Sequence, residues 1–186
     1  MAKYFKIQDD VELPGRWWLG LPHDLHGNEV NPDNFTVARR LDLTSPLIIP
    51  LQHKGIPLDF SFGAFEMPVL NDRTVKLLEE IAAGIFQCFP VSIENHVGNF
   101  SVVNFLEIRK CLDETQSEFI KWTKDDHRAD KAGQYRQITK LRIDPKLAEN
   151  CDAFRLWGWD TTLIVSERIR RAFVDYKISG VRFIEV

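Results

Sequence analysis

The clearest pattern of apolar and polar positions lies at the end of the chain, in Thr162–Val186 (TLIVSERIRRAFVDYKISGVRFIEV). Leu163, Ile164 and Val165 form a short continuous apolar run, which predicts a buried strand. Ser166 stands where a helix N-cap belongs, with its side-chain oxygen free to accept an N–H of the first turn, and Glu167 adds favourable negative charge there. Ile169, Ala172, Phe173 and Tyr176 then recur at the i, i+3, i+4, i+7 spacing of one helical stripe. Gly180 is the predicted helix stop. Val181–Val186 alternates as a half-buried strand does.

The same order of signals occurs earlier. Met67–Leu70 corresponds to the first strand, and Asn71, Asp72 and Arg73 match Ser166, Glu167 and Arg168 as cap, acid and arginine. Thr74, Leu77, Leu78 and Ile81 repeat the stripe, Gly84 takes the place of Gly180 with one residue fewer, and Ile85–Ile93 is the second strand. Two copies do not make a solenoid. They predict an α+β fold, a single domain with a mixed or antiparallel sheet and two strand–helix–strand units in a body spanning residues 67–186.

Elsewhere the pattern is weaker. Tyr4–Ile7 reads as a first short strand. From Leu13 to Pro57 the chain is dense in proline and glycine, so few regular elements are expected beyond short strands at Thr36–Leu41 and Leu47–Leu51. The apolar residues held there, Trp17, Trp18, Leu19, Leu21, Phe35, Leu41, Ile48 and Ile49, predict that residues 1–66 form an ordered, loop-rich cover. Leu58–Phe65 leads into the first unit, and Val91–Ile93 is expected to pair with Phe100–Leu106 across the turn ENHVGN. Ser117–Trp122 is expected to form one helical turn, Lys121–Gly133 a solvated and mobile charged loop, and Pro145–Cys151 a short helix. Ala153–Trp157 returns as a strand before Gly158.

At 186 residues the chain is long enough for one complete core. Its net charge of −3 is uneven: residues 1–66 hold nine acids and six bases, whereas residues 67–186 hold eighteen of each. An acidic excess confined to one third argues against direct nucleic-acid binding, which needs clustered Lys and Arg, and suits a basic protein partner. The start MAKYFKIQDD has no apolar signal core and no stretch approaches about 20 apolar residues, so a soluble cytoplasmic protein without membrane partners is expected. Cys88, Cys111 and Cys151 are odd in number and far apart, which predicts buried free thiols instead of disulfides or a zinc knuckle.

No pattern of residues predicts catalysis or a cofactor. His23 and His26 flank Asp24 in PHDLHGNE at a spacing that brings two imidazoles near a metal ion, and a small metal-dependent hydrolase is the catalytic alternative. A catalytic zinc takes three protein ligands, and no distant third is nominated; Pro22 and Gly27 mark a surface turn. Asp125, Asp126 and His127 lie in the charged run, where no raised pKa is expected. Ser166 lacks a G-x-S-x-G elbow, and the glycines are too isolated for a phosphate loop. Trp157 and Trp159, with Asp160, form an aromatic pair at a strand end, structural or facing a partner. Trp17 and Trp18 are adjacent, so in extended chain one faces in and the other out.

The segments GRWWLG, HDLHGNEVNPDNFT, IPLDFSFGAFEMPVLNDR and LWGWDTTLIVSERIRRAFVDYKISGVRFIEV resemble a family of bacterial immunity proteins encoded beside polymorphic toxins. The resemblance covers most of the chain. It implies a non-enzymatic protein that binds the cognate toxin domain of a secreted effector and occludes its active site, the toxin being one that acts in the cytoplasm, such as a nuclease. A non-enzymatic adaptor with no toxin is the further alternative. An interface of about 1,200–2,000 Å² is then expected, with Trp17, Trp18, Asp24, Glu29, Asp33, Asp125 and Asp126 as candidate contacts on loops.

Overall fold

Both strand–helix–strand units form in the computed structural model, which describes residues 2–186. In chain order the elements are β1 (Tyr4–Asp9), β2 (Trp18–Leu19), β3 (Leu47–Ile49), β4 (Leu51–His53), β5 (Phe60–Gly63), β6 (Met67–Asn71), α1 (Asp72–Ala82), β7 (Phe86–Ile93), β8 (Phe100–Phe105), β9 (Ile108–Arg109), β10 (Glu118–Lys121), β11 (Tyr135–Lys140), β12 (Ala153–Leu156), β13 (Trp159–Ser166), α2 (Glu167–Asp175) and β14 (Val181–Glu185). No helix among the described residues is long and apolar enough to cross a membrane.

The units belong to two five-stranded sheets, ordered β3-β7-β8-β6-β5 and β14-β1-β13-β12-β9. In each, a third strand splits the unit. β8 lies between β6 and β7 and is antiparallel to both; β1 lies between β13 and β14 and is antiparallel to both. β5 flanks β6 as β12 flanks β13. The registers agree: Asn71 opposes Phe100 as Ser166 opposes Tyr4, and the Asp72 N–H donates to the Asn99 carbonyl at 3.0 Å as the Glu167 N–H donates to that of Lys3 at 3.0 Å. Topologically, β5-β6-α1-β7-β8 therefore corresponds to β12-β13-α2-β14-β1, a circularly permuted second copy. β1, expected in the cover, is instead an interior strand of the second sheet.

The helix starts differ in one atom-level respect. Asn71 caps α1 by accepting the Thr74 N–H at 3.0 Å, and its amide donates to Asp59 at 2.7 Å. Ser166 does not cap α2 through its side chain, contrary to expectation; its hydroxyl is turned to Asp152, to which it donates at 2.6 Å. Asp59 and Asp152 are equivalent, each also paired with the helix arginine, Arg73 at 3.7 Å and Arg168 at 3.2 Å. An amide carries donor and acceptor on separate atoms and serves acid and helix together; the serine hydroxyl serves the acid.

The end of α2 also departs from expectation. Lys177 takes the left-handed position (φ 53°), with the Ile178 N–H on Phe173 O at 2.9 Å and the Lys177 N–H on Val174 O at 3.0 Å, so the helix stops before Gly180. Gly180 answers a different need: a Cβ there would lie 2.1 Å from the Phe60 carbonyl oxygen. Tyr176, assigned to the apolar stripe, is 52% exposed.

Both helices pack in one core between the sheets, where Leu77, Leu78, Ile169 and Phe173 meet Phe5, Phe60, Leu70 and Leu163. Each such side chain contributes about 1.5–3 kcal/mol on full burial. Alternation sends the neighbouring residues outward. Val69 and Val102 meet a second cluster with Trp17, Leu19 and Phe35, whereas Phe154 and Ile164 meet a third with Cys111, Ile143 and Cys151. The two covers are inserts at equivalent places: residues 10–59 join β1 to β5, and residues 106–152 join β8 to β12.

Within the inserts two expected elements are replaced. Thr36–Leu41 is not a strand. Ala38 has φ 53°, and the backbone is held by sheet side chains, Gln87 bonding both the N–H and the carbonyl of Leu41 and Asn104 donating to Arg39 O at 2.7 Å. Ser117–Trp122 is not a helical turn: Glu118–Lys121 is β10, paired antiparallel with β11.

Candidate partner-binding cleft

The two inserts meet at a cleft of about 270 Å³. One wall is the 3-10 turn Pro32–Phe35 with Val37; Asn31 caps it by accepting the Asp33 N–H at 2.9 Å, and Pro32 fixes its first residue. The opposite wall is the base of the β10–β11 hairpin, with Trp122 and Tyr135. The hairpin closes where the Trp122 N–H donates to Gln134 O at 2.9 Å and the Gly133 N–H to Trp122 O at 2.9 Å. Its charged tip is folded on itself, Asp126 accepting the Thr123 N–H (2.7 Å) and hydroxyl (2.8 Å). Arg136 lies 5.1 Å above the Trp122 ring, and the His127 ring meets that indole edge-on at 5.2 Å. The floor is the β12–β13 turn, where Gly158 adopts φ 78° and Trp159, Asp160 and Thr161 follow.

Asp160 is half-buried and makes no ion pair among the described residues. Burial pushes its carboxyl up, against the opposing pull of Lys131, the Gly158 N–H and Arg155. Behind it Arg155 is fully buried and bonds only carbonyls, Thr161 O at 2.8 Å and Glu66 O at 3.2 Å, leaving Nε without a partner. Burial lowers that guanidinium to about 10 against the pull of Glu66 and Asp160, so it is charged at neutral pH. Beside the cleft the turn Ala64–Glu66 packs on Pro32–Phe35 and carries consecutive left-handed residues, Phe65 (φ 56°) and Glu66 (φ 59°). Such conformations cost about 1–3 kcal/mol each and persist where surrounding contacts impose them; here Arg155 grips the Glu66 carbonyl. Phe65 is left 61% exposed.

The candidates from sequence fall in different places. Trp17 is 1% exposed, its indole N–H on Ser61 Oγ at 2.9 Å and its ring against His96 and Phe100, so it is core and offers a partner no surface. Trp18 faces outward under the Arg16 guanidinium, 4.5 Å from its ring. Asp24 has both oxygens engaged by its own turn, through the Asn28 side chain, the Asn28 N–H and the His26 N–H, and these bonds hold its carboxyl below the usual range. Glu29 is exposed, with its backbone paired to that of His23. Asp33 lines the cleft, Asp126 pairs at 3.5 Å with the cleft residue Arg136, and Asp125 is exposed on the hairpin tip.

His23 and His26 gain no third ligand: among the described residues no group of three or more His, Cys, Asp or Glu is placed to hold a metal ion. The thiols are free; burial pushes Cys88 up to about 11 and Cys111 to about 12, far from a reactive thiolate.

Trp122, absent from the sequence candidates, enters the site only because its hairpin folds against the other insert. Trp159 and Asp160 carried a local signal, an aromatic–acid pair beside a turn glycine, but nothing local linked them to Asp33. No curated protein matches the chain significantly. The comparison with protein families matches residues 3–186 to "Immunity protein family (Imm11)". With that match running through both halves of the permuted frame and both inserts, the chain belongs to the Imm11 immunity protein family.

Proposed function

We propose that this protein protects the cell that makes it by binding a cognate toxin domain in the cytoplasm and covering the toxin's active site, with a nuclease as the first target class to test. The observation that carries this function is the family match over residues 3–186. The described residues are consistent with action by surface alone. Metal-ligand groupings are absent among them, and the thiols are shifted away from reactivity. Occlusion by shape is favoured over mimicry of nucleic-acid phosphates, because Asp24 and Asp126 are consumed by their own turns and do not form a free acidic patch.

The test is co-expression with the toxin domain encoded beside the gene. Growth should be restored by the intact protein, and the purified pair should co-elute without the protein altering the toxin covalently. Failure of both rescue and binding would remove this function and leave the adaptor alternative.

A further inference from the structure

Resting on the toxin-binding function above, we infer that the cleft between the two inserts receives one basic side chain, lysine or arginine, from the toxin, with its cation set against Asp160. The frame is duplicated, so most of its surface follows from one repeated plan; the inserts are where the two halves differ, and here they meet. A volume of about 270 Å³ suits a single side chain, below the roughly 300–1,000 Å³ of small-molecule sites.

Charge selects the kind of side chain. Asp160 lies on the floor without an ion pair, and Asp33 is exposed at the mouth. Of the nearby cations, Arg136 is turned to Asp126 at 3.5 Å and Arg128 to Asp130 at 2.8 Å, and Arg155, which pulls on Asp160 from behind the floor, is bonded to the Thr161 and Glu66 carbonyls and not to the carboxylate. Lys131 also lines the cleft and acts on Asp160 from beyond ion-pair distance, as the resident cation that an incoming one displaces. The rings of Trp122 and Trp159 supply flat apolar surfaces for an alkyl stem, and each already carries one cation on its electron-rich ring, Arg136 at 5.1 Å and Lys6 at 5.7 Å.

The experiment titrates the neighbouring toxin domain into the intact protein and into Asp160→Asn, Asp33→Asn and Lys131→Gln, each checked for native circular dichroism. Asp160→Asn should weaken binding at least about tenfold, the size expected when one member of a desolvated charge pair is removed. Asp33→Asn should weaken it less, and Lys131→Gln should not weaken it. A second measurement needs no toxin and covers a variant that fails to fold. In the wild-type protein, arginine amide should shift the indole N–H resonances of Trp122 and Trp159, and norleucine amide should not. Wild-type affinity in a folded Asp160→Asn variant, or equal shifts with both amides, overturns the cleft assignment while toxin binding by the intact protein stands. If the intact protein neither binds nor protects, the proposed function falls and takes this assignment with it.

Discussion

The Asp59 carboxylate accepts hydrogen bonds from the Ser179 N–H (2.9 Å), the Ser179 hydroxyl (2.8 Å) and the Asn71 amide (2.7 Å), with Arg73 at 3.7 Å. One side chain thereby ties β5 to the cap of α1 and to the segment before β14. Burial works to raise its pKa, but the bonds from Ser179 and Asn71 and the charge of Arg73 outweigh it, and the carboxyl is held below its usual 3.8. A folded-state pKa lower than the unfolded one means stability that is present above about pH 4 and lost as pH falls through the folded value. Asp59→Asn is expected to cost about 2 kcal/mol at pH 7, the scale of hydrogen bonds to a charged group, and less below pH 4. Urea midpoints of both proteins across that range measure it; a pH-independent difference would assign the loss to packing. At this scale alternation showed that one of Trp17 and Trp18 faces in and the other out, but not that Trp17 is the buried one. The sequence was silent on Arg16 and Arg155, since their burial depends on an acid and carbonyls that the fold brings to them, Asp9 for the first and Thr161 and Glu66 for the second.

At the scale of elements, both helices were legible because the apolar stripe is encoded within about a dozen residues; the cap was read correctly for α1, whereas α2 is neither capped by the Ser166 side chain nor stopped at Gly180. Strands β1 and β8 were legible too, and so was the antiparallel pairing of β7 with β8; their insertion between the two strands of each unit was not, since that is chosen by pairing across the sheet and not by local pattern. Glu118–Lys121 shows the same limit: only its partner β11 makes a strand of a segment that reads as one helical turn. The role of Ser166 was misassigned because the competing acceptor, Asp152, belongs to another strand connection. That yields an expectation. Ser166→Ala should cost about 1 kcal/mol through the lost bond to Asp152, whereas Ser166→Asn, copying Asn71, should reach both Asp152 and the helix start and hold wild-type stability. Thermal midpoints of the three proteins distinguish this from simple capping, in which the alanine cost would persist after Asp152→Asn. The cleft was the least legible feature, since three separated segments assemble it.

For the whole molecule, the permuted correspondence puts the two ends of the described chain between β14 and β1, at the place held in the first half by the turn between β7 and β8. The ends are close, the Val186 N–H donating to Tyr4 O at 3.1 Å. A circular permutant that joins the ends by a short glycine-rich linker and opens at Val97, which is fully exposed, is expected to fold with a urea midpoint near that of the parent. Loss of cooperative unfolding would mean that β7 and β8 must be covalently continuous, and that the halves are not interchangeable in connectivity.

The position of β1 also sets an order of events on the ribosome. The strands of the first sheet have all emerged once Phe105 is out, but β1, made before any of them, must wait for β13 and β14, which follow Phe105 by more than 50 residues. Closing a sheet across nearly the whole length of the chain is slow compared with local pairing. The second sheet therefore closes only after Trp159–Glu185 has been made, and a nascent chain stalled short of Thr162 would display a half-built molecule with β1 unclaimed.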